Sequence, residues 1–401
     1  MRDALPAVVT YNQRFVGGGR DPAWLRAKIA RLCASPFGFL RGTFHLFADD
    51  WTQLGDDPLG ADTQPIVGDL HLENLGAYKA HDGRFVFDVN DFDETAPGTP
   101  ALDLARVATS LVLAGARHGV GRAATRIEAM TGAWRKAVLD LDLRPIEAST
   151  KGVPPAVKEV LALAEAGSRS DWIDARVEGN GKSRRFKRSE KYFPVEDAGR
   201  RKSVEEAVRQ FAASCAERPG DCPSWPNVLD VAVRIAGTGS LGRWRYAVLL
   251  PGKGEKVGKE MILELKEALP SSLTPQEPDQ APRVVSTQRR LQGDSPGYLG
   301  VAHIDGVAFT VRELQPMEAK LDSARLHGSD LDVLSEAAGT VIGRLHRRGA
   351  GTLAERVSGR EEALARRITA FALRYADVVE ADWAQLVRER KAVEAALGLG
   401  G

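Results

Sequence analysis

Two short segments in the first quarter of the chain bring together an acid, an amide and further acids: Gly68-Asp69-Leu70-His71-Leu72-Glu73-Asn74 and Asn90-Asp91-Phe92-Asp93. The stretch between them reads as a short hairpin turned at His81-Asp82-Gly83, so Asp69, Asn74 and Asp91 can converge on one divalent ion and one nucleophile. Phosphoryl transfer needs that set: a carboxylate beside the attacking hydroxyl and hard oxygen ligands for magnesium. Taken singly, each residue is ordinary turn or loop-capping chemistry. The combination is harder to dismiss. Asp88, Asp91, Asp93 and Glu94 close one strand, and if buried they repel one another unless a cation sits among them.

A second group, Gly237-Thr238-Gly239-Ser240-Leu241-Gly242, lies far downstream. A dinucleotide-binding turn shares this pattern but must open a helix. Here Arg243-Trp244-Arg245-Tyr246-Ala247-Val248-Leu249-Leu250 follows and reads as a strand, so the glycines sit at a hairpin tip. At a tip, Gly237, Gly239, Ser240 and Gly242 leave room for backbone amides to approach phosphates; a plain flexible hairpin has the same composition. The third group is Lys266, at the end of the alternating run Met261 to Lys266. Alternation buries Met261, Leu263 and Leu265 on one side and sets Lys266 on the other. An isolated lysine there is a solvated strand face, but one strand after a glycine hairpin it stands where a phosphate-pairing lysine belongs.

These groups need elements to hold them. Arg2 to Leu54 reads as helical, with Trp24, Leu25, Ile29, Leu32 and Cys33 at helical spacing after the start signal Asp21-Pro22 and an interruption at Pro36-Phe37-Gly38. Arg84 to Val89 reads as a strand. Thr99 then caps a helix opened by Pro100, with Leu102, Leu104, Val107, Leu111 and Val112 on its buried face, and helical periodicity continues to about Ala166. The basic run Arg184-Arg185-Phe186-Lys187-Arg188, with Lys191 and Arg200 to Lys202 nearby, reads as a solvated loop or, less simply, an anion-binding surface. Five strands follow: Asp230–Ala236, Trp244–Leu250, Met261–Lys266, Tyr298–His303 and Val307–Leu314, with one helix, Pro282 to Gln292, between the third and fourth. Beyond Asp322 the pattern is helical, through Leu331–His346 and the amphipathic stretch Glu361 to Leu397. This divides the chain into 1–225 (helical, carrying the acid loops), 226–316 (strand-rich) and 317–401 (returning to the helical part).

Composition narrows the function. The 401 residues are 43% hydrophobic, enough for a sizeable core, and 55 basic residues nearly cancel 54 acidic ones, so no net field draws the chain to nucleic acid or an anionic membrane. Phe186, Tyr192 and Phe193 make too sparse a stacking platform to change that. No apolar run of spanning length and no secretory signal is present, and Cys33, Cys215 and Cys222 fit small buried apolar residues of a reducing, cytoplasmic interior.

Gly68-Asp69-Leu70-His71-x-x-Asn74, Asn90-Asp91-Phe92-Asp93 and Pro100-x-x-Asp103-Leu104-Ala105 resemble the catalytic region of the aminoglycoside phosphotransferase branch of the protein kinase-like superfamily. The fuller string Gly68-Asp69-x-His71-Leu72-Glu73-Asn74-x-Gly76 with Asn90-Asp91-Phe92-Asp93-Glu94-Thr95 also resembles a bacterial family of uncharacterised function. That second resemblance covers most of the chain, including Ser35-Pro36-Phe37-Gly38-Phe39-Leu40-Arg41-Gly42. The kinase resemblance implies a two-lobe α+β fold, a five-stranded antiparallel sheet lobe against a mainly helical lobe, binding ATP and Mg2+. It implies Asp69 as catalytic base, Asn74, Asp91 and Asp93 as metal ligands, Gly237, Gly239, Ser240, Gly242 and Lys266 as phosphate holders, and His71 and Asp103 as structural support.

The order along the chain departs from a kinase, because the glycine loop and lysine follow the catalytic loop. Gly343-Arg344-Leu345-His346-Arg347-Arg348-Gly349 resembles the end of the kinase helix that runs into that loop, and a circular permutation accounts for both facts. Val67 stands where many relatives have histidine. The helix Pro282 to Gln292 has no glutamate to pair with Lys266, leaving Gln288 or Glu313 as substitutes. The stretch from Asp93 to Asp103 is too short for a peptide-docking segment, which points to a small-molecule acceptor. The reading is thus an ATP- and magnesium-dependent phosphotransferase acting on a small hydroxylated molecule. The alternatives are a pseudokinase or nucleotide-binding scaffold, a nucleotidyl (AMP) transferase, and a metal-dependent phosphohydrolase. Oligomeric state is open.

Overall fold

The computed structural model describes residues 3–54, 57, 59–60, 62–117, 121–140, 142–215, 227–237, 239–252, 258–276, 280–315, 318–321, 326 and 328–400. Cys222 and Thr238 lie outside the described residues. The molecule is a mixed α+β protein, 52% helix and 16% strand.

Four helices open the chain: Leu5–Gln13, Pro22–Cys33, Pro36–Gly42 and Phe44–Leu54. Two of them begin with proline immediately after a capping acceptor. The Asp21 side chain accepts from the Ala23 N–H at 2.8 Å, and Ser35 Oγ accepts from the Gly38 N–H at 3.0 Å. Pro36 was expected to interrupt helix; instead it starts one, because a missing N–H costs nothing in a first turn.

The Leu75–Lys79 and Phe85–Val89 strands pair antiparallel, and Ala319–Lys320 adds to the free edge of the first, opposite Ala77 and Gly76. Helices Pro100–Arg117, Ala123–Leu139, Gly328–Gly349 and Glu361–Arg388 pack with the N-terminal helices into the main apolar core, around Leu104, Val107, Leu111, Trp134, Ile342 and Leu345. The helical stretch expected from Glu361 to Leu397 breaks at Glu389 into two helices.

The second unit is a sheet of six strands, not five. Its order is Gly300–Ile304, Val307–Leu314, Met261–Glu267, Arg245–Leu250, Asp230–Arg234 and Tyr192–Pro194, antiparallel throughout. The extra edge strand comes from the basic segment read as a solvated loop. Tyr192 stacks on Phe186 with ring centroids 5.1 Å apart, and Arg184 is buried on Glu260 at 2.8 Å, so apolar and paired side chains fold this segment back onto the sheet. On one face Tyr246, Val248, Leu263, Leu265, Phe309 and Val311 pack beneath Val204, Val208 and Phe211 of the Ala198–Cys215 helix. Strand alternation turns Lys266 to the other face, opposite Arg245 and Thr310. The Gln280–Gln292 helix lies between the sheet and the Gly328–Gly349 helix.

Candidate active site

The Asp69 loop is built on buried acceptors. Asp103, in the first turn of Pro100–Arg117, accepts from the Val67 N–H at 2.9 Å and the Gly68 N–H at 2.8 Å, and is fully buried. Its third donor is His346 Nε2 at 3.0 Å. Trp134 Nε1–H donates to His346 Nδ1 at 3.0 Å, and an indole can only donate, so the imidazole carries its proton on Nε2 and points it at Asp103. The chain reverses at Gly68, whose φ is +82° and whose missing Cβ would lie 2.4 Å from the Glu94 carbonyl oxygen. No other residue fits there. The Leu72 N–H donates to Ser110 Oγ at 3.2 Å, tying the loop to the same helix.

Arg106 stands one turn beyond Asp103, and therefore on the same side of the helix. Its Nε and Nη2 both donate to Asp69 Oδ1, at 3.0 and 2.6 Å, and Nη2 also donates to the Leu40 carbonyl at 2.5 Å. The guanidinium is wholly buried and flanked by the Phe44 and Phe47 rings. Burial pushes the Asp69 carboxyl up to about 6, with Arg106 holding it back from rising further and Glu94 and Asp91 adding to the rise. Arg106 was not foreseen from the sequence, although the Asp103-x-x-Arg106 spacing carried the signal.

Asn74 is buried, and its Nδ2 donates to the Asp69 carbonyl at 2.6 Å, leaving Oδ1 as the acceptor without a protein donor among the described residues. His71 is buried edge-on to Phe37, and burial, with Arg41 and Arg106 nearby, holds its imidazole well below the usual range, hence neutral. Asp88 does not join the other acids: it faces Arg348 at 3.8 Å and accepts from the Val89 N–H, and burial raises its carboxyl to about 7.

Lys266 Nζ contacts Asp91 at 3.4 Å and Asp93 more closely still, and Arg243, next to the glycine hairpin, reaches Asp93 at 2.8 Å. Burial alone would raise the Asp91 carboxyl, but Lys266, Lys320, Arg312 and Arg243 outweigh it and hold it well below the usual carboxylate range. Neither substitute named for the missing helix glutamate reaches Lys266. Gln288 donates to Gln292 at 3.0 Å, and Glu313 accepts from Arg169 at 2.7 Å. The lysine takes its anions from the acid loop.

Two adjoining chambers form a cleft between the sheet and the acid loops. One is lined by Asp69, His71, Asn74, Arg41, Tyr11 and Phe44 among others. The other is walled by the sheet, including Arg245, Lys266 and Arg312, together with Phe92, Val284 and Leu299. Asp91, Asp93, Gly237, Ser240 and Lys320 line both. Gly239 lines only the chamber that holds Asp69. Gly242 lines neither; it turns at φ +93° against Phe15, below the hairpin tip.

Among the described residues no cluster of three or more His, Cys, Asp or Glu stands arranged for a metal. The donor set still suits magnesium, which characteristically takes one or two carboxylates and completes its shell with water and substrate phosphates. Asn74 Oδ1 and Asp91 are such donors.

Comparison with curated proteins and with solved structures gives no match. A family model described as an uncharacterized protein conserved in bacteria (DUF2252) matches residues 20–389, which span the N-terminal helices after the first, both acid loops, the six-stranded sheet and most of the closing helices. The chain belongs to this bacterial family.

Proposed function

We propose that the protein is an ATP- and magnesium-dependent transferase that moves a phosphorus-containing group from the nucleotide to a hydroxyl of a small molecule, as a circularly permuted two-lobe relative of the kinases. One observation carries this reading: Lys266, on the sheet, meets Asp91 and Asp93, on a loop distant in sequence, across a single cleft. A lysine and a pair of acids that neutralise each other when the cleft is empty can exchange partners when phosphate and metal arrive.

In this mechanism Asp69 holds the acceptor hydroxyl and receives its proton on Oδ2, since Oδ1 is taken by Arg106. A carboxyl raised to about 6 is still ionised at neutral pH and is a better proton acceptor than a free aspartate. Asn74 and Asp91 would hold magnesium, which supplies charge neutralisation on the phosphate oxygens. Lys266 and the amides of the glycine hairpin orient the phosphates, and positioning in a half-closed cleft does most of the catalytic work.

Magnesium-dependent ATP binding by wild type, with binding lost in Lys266→Ala and Asp91→Ala, is the expected result. Equal ATP affinity in all three proteins would remove the assignment. The engagement of Lys266 by acids instead of a helix glutamate favours a second reading, a nucleotide-binding protein without transfer. That reading predicts the same binding, with no ATP-derived product that disappears in Asp69→Asn.

A further inference from the structure

The helix Gln280–Gln292 carries no glutamate, and what it carries instead is bonded to the main chain of the acid loop. Near its start, Arg283 donates from Nη1 to the Thr95 carbonyl, and from Nη2 to the Asp93 carbonyl at 3.0 Å and the Leu269 carbonyl at 3.1 Å. Its Nε donates to Gln280 Oε1 at 2.8 Å. At the other end of the helix Gln292, wholly buried, donates from Nε2 to the Val89 carbonyl, and its Oε1 accepts from Gln288 Nε2 at 3.0 Å. Asp91 therefore lies between two attachments to one helix, Val89 before it and Asp93 with Thr95 after it. Leu269 stands two residues past the end of the Met261–Glu267 strand, so the same guanidinium joins the acid loop to the strand that carries Lys266.

We propose that Arg283 and Gln292 are positioning residues, which do through the main chain what a helix glutamate would do through the lysine side chain: they set Asp91 and Asp93 against Lys266. A carbonyl held by a fixed donor fixes its peptide plane, and with it the direction in which the neighbouring side chains leave the backbone. Asp91, Asp93 and Glu94 put three acids in four residues, and a guanidinium against their main chain offsets part of the repulsion. Arginine suits the place because its rigid fork serves three carbonyls and an amide oxygen at once, where an ammonium is a single point. Ser271 Oγ donates to the Glu94 carbonyl at 2.9 Å and the Ser272 N–H to its carboxylate at 2.7 Å, which ties the loop to the segment after the strand but leaves the helix out. The assignment deepens the transfer proposed above, whose metal and phosphate ligands include these acids and this lysine, yet it is read from contacts within the protein alone.

The test reads the Lys266 contact directly, as the rate at which acetic anhydride acylates Lys266 in the full chain, relative to exposed Lys151, by peptide mass spectrometry. Lys266 is buried on Asp91 and Asp93 and should react slowly in wild type. Arg283→Lys keeps the charge and loses the fork, and Gln292→Met removes the other attachment; each should speed Lys266 by about 10-fold, the loss of one charge-assisted or buried hydrogen bond. Arg290→Lys is the control on the same helix. Arg290 is exposed and donates to the Gly349 carbonyl at 2.7 Å, away from the loop, and its variant should leave the rate within about 2-fold. An unchanged rate in Arg283→Lys, or an equal rise in Arg290→Lys, would overturn the positioning role and leave the nucleotide reading standing. In ATP titrations, Arg283→Lys should also raise the half-saturating magnesium concentration by about 10-fold. Wild type that binds no ATP would remove the transfer reading, and the acylation rates would still decide the role of Arg283 and Gln292.

Discussion

The loop carrying Asp69 and the hairpin carrying Gly237 and Gly242 line one cleft but are held in different ways. The loop hangs from inside the protein: Asp103 takes two of its backbone N–H groups, Ser110 a third, and Asp103 is itself held by His346. The hairpin is held from outside and from across the cleft. Exposed Arg31 donates to the Gly237 carbonyl at 2.8 Å, Phe15 packs on Gly242, and Arg243 bridges to Asp93. Breaking a buried, satisfied hydrogen bond leaves an orphan that water reaches poorly, whereas an exposed contact such as Arg31 to Gly237 exchanges for water at little cost, so buried Phe15 and Arg243 are the firmer part of the hairpin's support. Under the proposed function, the carboxylate that would have to be fixed in place sits on the first kind of support, and the segment that would meet phosphates sits largely on the second.

The contrast can be broken most severely at Asp103. Asp103→Ala strands three buried donors, and at roughly 1–3 kcal/mol per orphan the expected loss of stability is about 3–9 kcal/mol in urea denaturation. A loss under about 1 kcal/mol would mean that the loop is not hung on this residue. On the hairpin side, Gly242→Ala combines a φ of +93° with a Cβ 2.7 Å from Phe15 Cγ. Its expected cost is about 2 kcal/mol, by the same measurement.

The pH dependence of Asp69 sharpens the comparison at a smaller scale. Its folded carboxyl is raised from 3.8 to about 6, so the stability associated with its protonated form is present below the unfolded value and lost as pH rises through 6. Activity should run the opposite way, rising with pH along a limb near 6 as the carboxylate forms. Arg106 lowers this carboxyl, so Arg106→Gln should move the limb upward by about one unit, worth ~1.4 kcal/mol, in the pH profile of kcat/KM. A downward shift, or none, would contradict Arg106 as the group that tunes Asp69. Smallest of all, Gly239→Ala meets only the Arg41 carbonyl, 3.5 Å away, and should change stability by less than about 0.5 kcal/mol. A larger loss would show the hairpin to be as tightly built as the loop.

Much of this site was readable as a string because local chemistry encodes it. Gly68, Asp69, Asn74 and Asp91 stand close together in sequence, and the Asn90 N–H donates to the Asn74 carbonyl across the short hairpin, so their proximity needed only a turn. Arg106 was not singled out, and His346 entered only within the string Gly343 to Gly349. Arg106 needed the observation that it shares a helix side with Asp103, and His346 lies on a helix at the far end of the chain, where nothing beside Leu345 and Arg347 says that it reaches Asp103. The Tyr192–Pro194 strand was missed for a related reason: three residues in a basic segment carry almost no period, and only pairing with Asp230–Arg234 makes them a strand.

What the residues decided alone was the inventory: which segments alternate, which turn on glycine, and which acids crowd one strand end. What only the folded chain decided was the pairing of charges. Whether Lys266 meets a helix glutamate or Asp91 and Asp93, and whether Arg234, Arg245 and Arg312 gather on Glu264, depends on register and on the approach of distant segments. The physical reason is range. Backbone preferences act over a few residues, while the interaction of two buried charges depends on their separation in space and on the water excluded between them.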